Sequence, residues 1–125
     1  MANGTIAFDT LSTSGQITGT AKSLDTDYVV NGSAKAWVHA VEDAVTGDDL
    51  NITDSTDNGD GDYTFNFTSN MGNTLFAVTA TTNADSHTNM YNWARTTSSY
   101  NVAIRDASNT FHNKNHGSVV HGDLA

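Results

Sequence analysis

The chain has 125 residues, of which 37% are hydrophobic and 15% charged, with a formal net charge of −9 and no cysteine. That size suits one domain with a core of its own, and the missing cysteines exclude disulfides and thiolate metal sites. The fixed cations, Lys22, Lys35, Arg95, Arg105 and Lys114, are too few for counterion-release binding to nucleic acid or to an anionic membrane.

Thr, Ser, Asn, Asp, Gly and Ala dominate the rest, while Leu, Glu, Lys and Arg are scarce, a composition that suits pleated sheet rather than helices. Residues 1–20 predict a short strand over 4–11, a break over 12–15 and a second extended piece at Gln16-Ile17-Thr18. Such a segment has little to bury alone. It reads as an attachment or chain-pairing arm, with Ile6, Phe8, Leu11 and Ile17 as its candidate docking side chains. An ordinary first strand of the main domain is the competing reading. Residues 21–125 are expected to form that domain.

Tyr28-Val29-Val30 leads into an Asn31-Gly32 turn pair. Residues 34–41 then read as a strand, with Trp37, His39 and Val41 on one face and Ala36, Val38 and Ala40 on the other. Residues 46–49 predict a turn, after which Leu50-Asn51-Ile52 resumes. Residues 63–68 alternate most clearly, aromatics to one side and polar residues to the other, as a half-buried antiparallel strand requires. After a break over 70–73, residues 75–81 are nearly continuously apolar and are expected to be the central strand. A polar loop over 83–88 precedes strands at 90–95 and 100–105. A long polar loop over 106–117 and a closing strand at 118–122 complete the chain. Seven or so short strands with frequent turn signals describe an all-β fold, an antiparallel β-sandwich of jelly-roll-like type.

The acid-rich stretch from Asp54 to Asp62 invites a calcium reading, but no EF-hand register fits it. Its Asn58-Gly59 and Asp60-Gly61 pairs favour a hairpin. His112 and His116 have the i, i+4 spacing that binds metal on a helix, yet they stand in a loop pattern, so solvated loop histidines are expected and no metal or other cofactor is. There is no Gly-x-Ser-x-Gly elbow, no glycine-rich loop before a helix and no cysteine nucleophile. The carboxylates sit at turn-like positions, so no catalytic residues are assigned and no enzyme is expected. Aromatics on strand faces can stack on sugars or fill a subunit interface. Core packing is expected for most of Trp37, Tyr91, Trp93 and Tyr100, with Trp93 the best candidate for a wet or interfacial position.

The run from Tyr28 to Val38 resembles a segment common in tail-fibre and virion structural proteins of marine phages and prophages. The block from Ile52 through Asp57-Asn58-Gly59-Asp60-Gly61-Asp62 to Phe67 is similar to that family's next piece. Met71 with Phe76-Ala77-Val78, then Arg95-Thr96-Thr97-Ser98-Ser99-Tyr100 and the closing Val119-Val120-His121-Gly122-Asp123-Leu124-Ala125 extend the likeness, as does the opening Gly4-Thr5-Ile6 with Asp9-Thr10-Leu11. The resemblance implies a homotrimeric β domain in the virion, made in the host cytoplasm. Its implied partners are other phage tail or capsid proteins and a host surface polysaccharide or protein, without nucleic acid or membrane insertion. Tail-fibre or receptor-binding function is the leading expectation, and a head fibre or capsid decoration protein is the alternative. The loops around 83–89 and 108–116 would face the host, which makes Asn83, His87, Asn89, Trp93, Asn109, His112 and His116 the candidate contact residues. The acidic connection at 42–49 and the His- and Asn-rich loop at 109–116 depart from the family's pattern.

Overall fold

The computed structural model describes residues 16–18, 23–41, 46–83, 89–91 and 94–125. β1 (Gln16–Thr18) and β2 (Ser23–Asp25) pair antiparallel as a separate two-stranded sheet, with Ile17 opposite Leu24. The expected extended piece at 16–18 is present, and a border after residue 20 falls between these two paired strands. Ile6, Phe8 and Leu11 lie outside the described residues.

Where the Asn31-Gly32 pair predicts a turn after an extended run, the chain instead forms α1 (Thr26–Gly32). Asp25 and Asp27 suit a helix start, and Gly32 suits its end. The Lys35 ammonium donates to the Val30 carbonyl, and the Ser33 hydroxyl approaches the same oxygen at 3.3 Å. Together they occupy a terminal acceptor that the helix itself leaves unpaired.

The rest is a sandwich of two four-stranded antiparallel sheets. The first runs β4 (Thr46–Leu50), β3 (Ala36–Ala40), β10 (His116–His121), β7 (Ala77–Thr82). The second runs β5 (Ile52–Gly59), β6 (Asp62–Phe67), β9 (Ser99–Arg105), β8 (Asn89–Tyr91). β3 and β4, β5 and β6, and β8 and β9 each stay within one sheet as neighbours. That order differs from a jelly roll, whose successive strands alternate between sheets.

The core matches small residues of one sheet to large residues of the other. Ala36, Val38, Ala40 and Val120 face Ile52, Tyr63, Phe65, Phe67, Tyr100, Val102 and Ile104. Tyr100 stacks on Phe67 at 5.4 Å, and its hydroxyl lies 2.7 Å from the Ser118 hydroxyl across the core. Burial pushes the Tyr100 phenol up to about 12, so it stays neutral and holds that bond. Because the alanines of β3 turn inward, Trp37 sits half-buried and His39 exposed on the outer face. Trp37 is therefore not a core aromatic: it lies on the face opposite to the buried Ala36, Val38 and Ala40.

Two strand assignments change. Residues 46–49 belong to β4, an edge strand rather than a turn, with Asp48 exposed and Asp49 half-buried opposite Val38. The apolar run at 75–81 is an edge as well: β7 alternates exposed and half-buried residues, and Leu75 is 88% exposed. Ala and Thr tolerate either environment, so that run carries no demand for burial on both faces. β9 fills the central role, with 100–104 all buried.

Asn51 turns the corner from the first sheet to the second in a left-handed conformation, φ +59. Its amide donates to the carbonyls of Lys35 and Ser69 at 3.0 and 3.1 Å, and its Oδ1 accepts from the Ser69 N–H at 2.7 Å. Asn is among the few residues that enter this conformation readily.

Candidate functional site: a polar cleft on the second sheet

The acid-rich stretch forms the β5–β6 hairpin, with the chain reversing at Asp60-Gly61. Gly61 has φ +63, and a Cβ there would stand 2.6 Å from both the N and the O of His112. Only glycine admits this approach. The Gly61 N–H donates to Asn113 Oδ1 at 2.6 Å, its carbonyl accepts from Ile104 N–H at 2.7 Å, and the Tyr63 hydroxyl donates to Asn113 Oδ1 at 2.9 Å. The loop after β9 is thereby fastened over the hairpin tip.

That loop is internally ordered. Asp106 Oδ1 accepts from the N–H groups of Ser108 and Thr110 at 2.8 and 2.9 Å, and Asp106 Oδ2 lies 2.9 Å from His112 Nε2. The His112 contact first, and then the backbone donors, hold the Asp106 carboxyl below the usual carboxylate range. Arg105 donates to Asn109 Oδ1 at 2.8 Å, and its guanidinium lies 4.0 Å from the centre of the Phe111 ring, a cation–π contact.

Two adjoining cavities open on this surface and share Asn58 and Asp62. One, of about 370 Å³, is completed by Thr64, Ala94, Ser99, Tyr100 and Asn101. The other, of about 410 Å³, is completed by Gly59, Asp60, Asn109, Thr110 and Phe111. Both volumes fall within the range of small-ligand sites, roughly 300–1,000 Å³. Asn58 donates to Thr64 Oγ1 at 2.8 Å and to Asp62 Oδ1 at 3.3 Å, while Asn101 donates to the same Asp62 oxygen at 2.6 Å. Asn66 donates to Asp54 on the same outer face. Cross-strand bonds thus hold amide and carboxylate groups in fixed positions, next to an aromatic ring held by Arg105. Such a surface can exchange hydrogen bonds with hydroxyl or amide groups of a ligand. Among the described residues, no group of three or more His, Cys, Asp or Glu is placed to hold a metal ion.

Comparison with known proteins gives no match: no family model, no curated protein and no solved structure. The geometry is therefore the structural ground for a functional reading. Among the described residues no helix is long and apolar enough to cross a membrane.

Of the candidate contact residues, Asn109 lines the cleft and His112 lies in the loop fastened above it. His116 does not belong with them. It is 1% exposed, begins β10, and packs inward with its ring 4.9 Å from Tyr63 and 5.7 Å from Phe65. The inward alternation of Ser118 and Val120 reaches back to His116, so the loop ends sooner than expected and His116 is not a solvated loop residue. Burial pushes its imidazole below the usual histidine range. Asn83 is exposed at the far end of β7, and Asn89 starts β8 opposite Arg105. His87 and Trp93 lie outside the described residues, although Ala94, the chain neighbour of Trp93, lines the cleft. Asn58, Asp62, Thr64 and Asn101 were not among the expected contacts. The polar half of the Asp62-Thr64-Asn66 alternation was the available signal, because it marks one face as solvent-facing.

Proposed function

We propose that this chain is a phage virion structural protein, a tail-fibre or receptor-binding module that acts by binding rather than catalysis. The virion setting is supported by the ordered likeness of its segments to tail-fibre and virion structural proteins. The contact role is supported by the polar cleft, where Asn58, Asp62 and Asn101 are fixed beside Phe111. The outer face of a sheet needs no such network for stability alone, since water would satisfy the same groups. Fixed amide and carboxylate groups suit a hydroxyl-rich host polysaccharide or a polar loop of a surface protein. The module acts as a homotrimer and attaches through residues 1–20 to other tail or capsid proteins. Weak single sites then gain from the many copies on one particle.

The test is competition. Purified protein should bind host cells and block adsorption of the parent phage, and Asp62→Ala with Asn58→Ala should abolish the block while the melting curve persists. Binding to emptied capsids with no effect on adsorption would replace this reading with a decoration role. Release of reducing sugar from host polysaccharide would overturn the non-catalytic part.

A further inference from the structure

The edges of the two sheets are guarded unequally. An edge strand offers backbone N–H and C=O groups to any extended chain, and proteins blunt it with charge, bulges, proline or shortness. β4 carries Asp48 and Asp49, and its register with β3 slips between His39 and Ala40. β5 carries Asp54 and Asp57 and slips twice against β6. β8 has three residues. β7 has none of these devices. Its sequence Ala77-Val78-Thr79-Ala80-Thr81-Thr82 is uncharged, lacks proline and glycine, and keeps an unbroken six-residue register with β10.

The phase of the ladder shows which groups face outward. The Asn83 N–H donates to the Asn115 carbonyl at 2.9 Å, one step beyond the Thr82–His116 pair. Bonded and non-bonded pairs alternate in antiparallel sheet. Ala77, Thr79 and Thr81 therefore bond to β10, and the backbone groups of Val78 and Ala80 point away from it. Among the described residues no strand pairs with that side.

We infer that β7 pairs antiparallel with β7 of a second copy of this chain, joining two four-stranded sheets into one across a two-fold axis. The register is self-consistent. Ala80 opposite Ala80 sets two residues of the outward-facing phase against one another. Each exposed Thr79 then faces a Thr81, a favourable cross-strand pair. Charge selects the same partner. Two copies of a chain with net charge −9 can approach here with no carboxylate on either strand. Self-pairing of β4 or β5 would bring Asp residues of both copies onto the paired edges, and like charges across a ladder are unfavourable. The contact lies on the first sheet, away from the cleft, and holds whether or not the cleft binds a host.

Light scattering on the full chain tests this. With the proposed homotrimer the pairing gives six copies, and without it two; either mass supports the pairing, and a mass of one or three overturns it. Thr79→Lys with Thr81→Lys places like charges across the paired strands on an exposed face, and should weaken association at least about tenfold, the equivalent of 1.4 kcal/mol. Asp48→Lys on β4 should leave the mass unchanged, and a lower mass there would assign the contact to another edge. Hydrogen exchange on the unaltered protein needs no variant. Slow exchange at the Val78 and Ala80 amides supports the pairing, and exchange as fast as at an open edge overturns it.

Discussion

The two ends of the sandwich are each closed by an asparagine, and the two closures differ in kind. At one end Asn51 is itself the corner: its backbone turns left-handed, and its side chain bonds Lys35 and Ser69 on the flanking segments. At the other end Asn113 acts from a loop, accepting from Gly61 and Tyr63, while left-handed conformations fall on Gly61 and on Asn109. The first arrangement joins strand to strand. The second fastens a loop over a hairpin and thereby builds one wall of the cleft. The Asn51 corner lies away from the cleft, whereas at the fastened loop Asn109, Thr110 and Phe111 line a surface, Asn109 in a left-handed conformation with its Oδ1 accepting from Arg105.

Substitution should separate the two ends. The largest effect is expected for Gly61→Ala, because the Cβ meets the His112 backbone in a left-handed conformation. Left-handed strain alone costs of order 1–3 kcal/mol, and with the clash the total should reach about 3 kcal/mol or more, read as a lower urea midpoint. A change under about 0.5 kcal/mol, the level of an ordinary surface substitution, would show that the loop is not fastened there. Next comes Asn51→Gly, which keeps the backbone conformation and removes only the side-chain bonds. About 2 kcal/mol should be lost, with ligand contacts at the cleft unaffected. If Asn51→Gly weakened cleft binding as much as Gly61→Ala, the two ends would not be separable.

The smallest effect should come from acid. His116 lies beneath the Asn113 end, and burial depresses its imidazole, so the native protein keeps it neutral while the unfolded chain takes up a proton near pH 6.5. Stability from this group is complete above about pH 6.5 and declines as the pH falls below it, by at most about 1.4 kcal/mol per pH unit. Urea midpoints between pH 7.5 and 5 should show this slope, and His116→Phe should remove its share. An unchanged slope in His116→Phe would assign the acid sensitivity to other groups.

Much of the sandwich was legible because alternation is written directly into the sequence. Tyr63, Phe65 and Phe67 face inward as their spacing predicts, and the Asp-Gly pair gives the hairpin. The misreadings share a cause: residues whose burial preference is weak. Ala and Thr in β7 fit a centre or an edge, so pairing decided their place. In β3 the small Ala36, Val38 and Ala40 turn inward against a sheet rich in large side chains, and Trp37 turns outward, a match between sheets that no single strand encodes. His116 was misplaced because a histidine suits a wet loop and an aromatic stack equally well. The cleft depends on Asn58 meeting Asn101 through Asp62, three strands brought together by sheet order, and local pattern does not contain that order.

The place of β10 has a consequence for how the protein is made. It lies between β3 and β7 and supplies the pairing of both, with Val120 opposite Ala36 near the start of the sandwich. Until β10 leaves the ribosome, the first sheet has no centre, and the β3–β4 hairpin and β7 have only the second sheet to rest against. Contacts between such distant parts of a chain make folding slow. Nascent chains should therefore remain susceptible to proteases until β10 has emerged, and then become resistant in a single step.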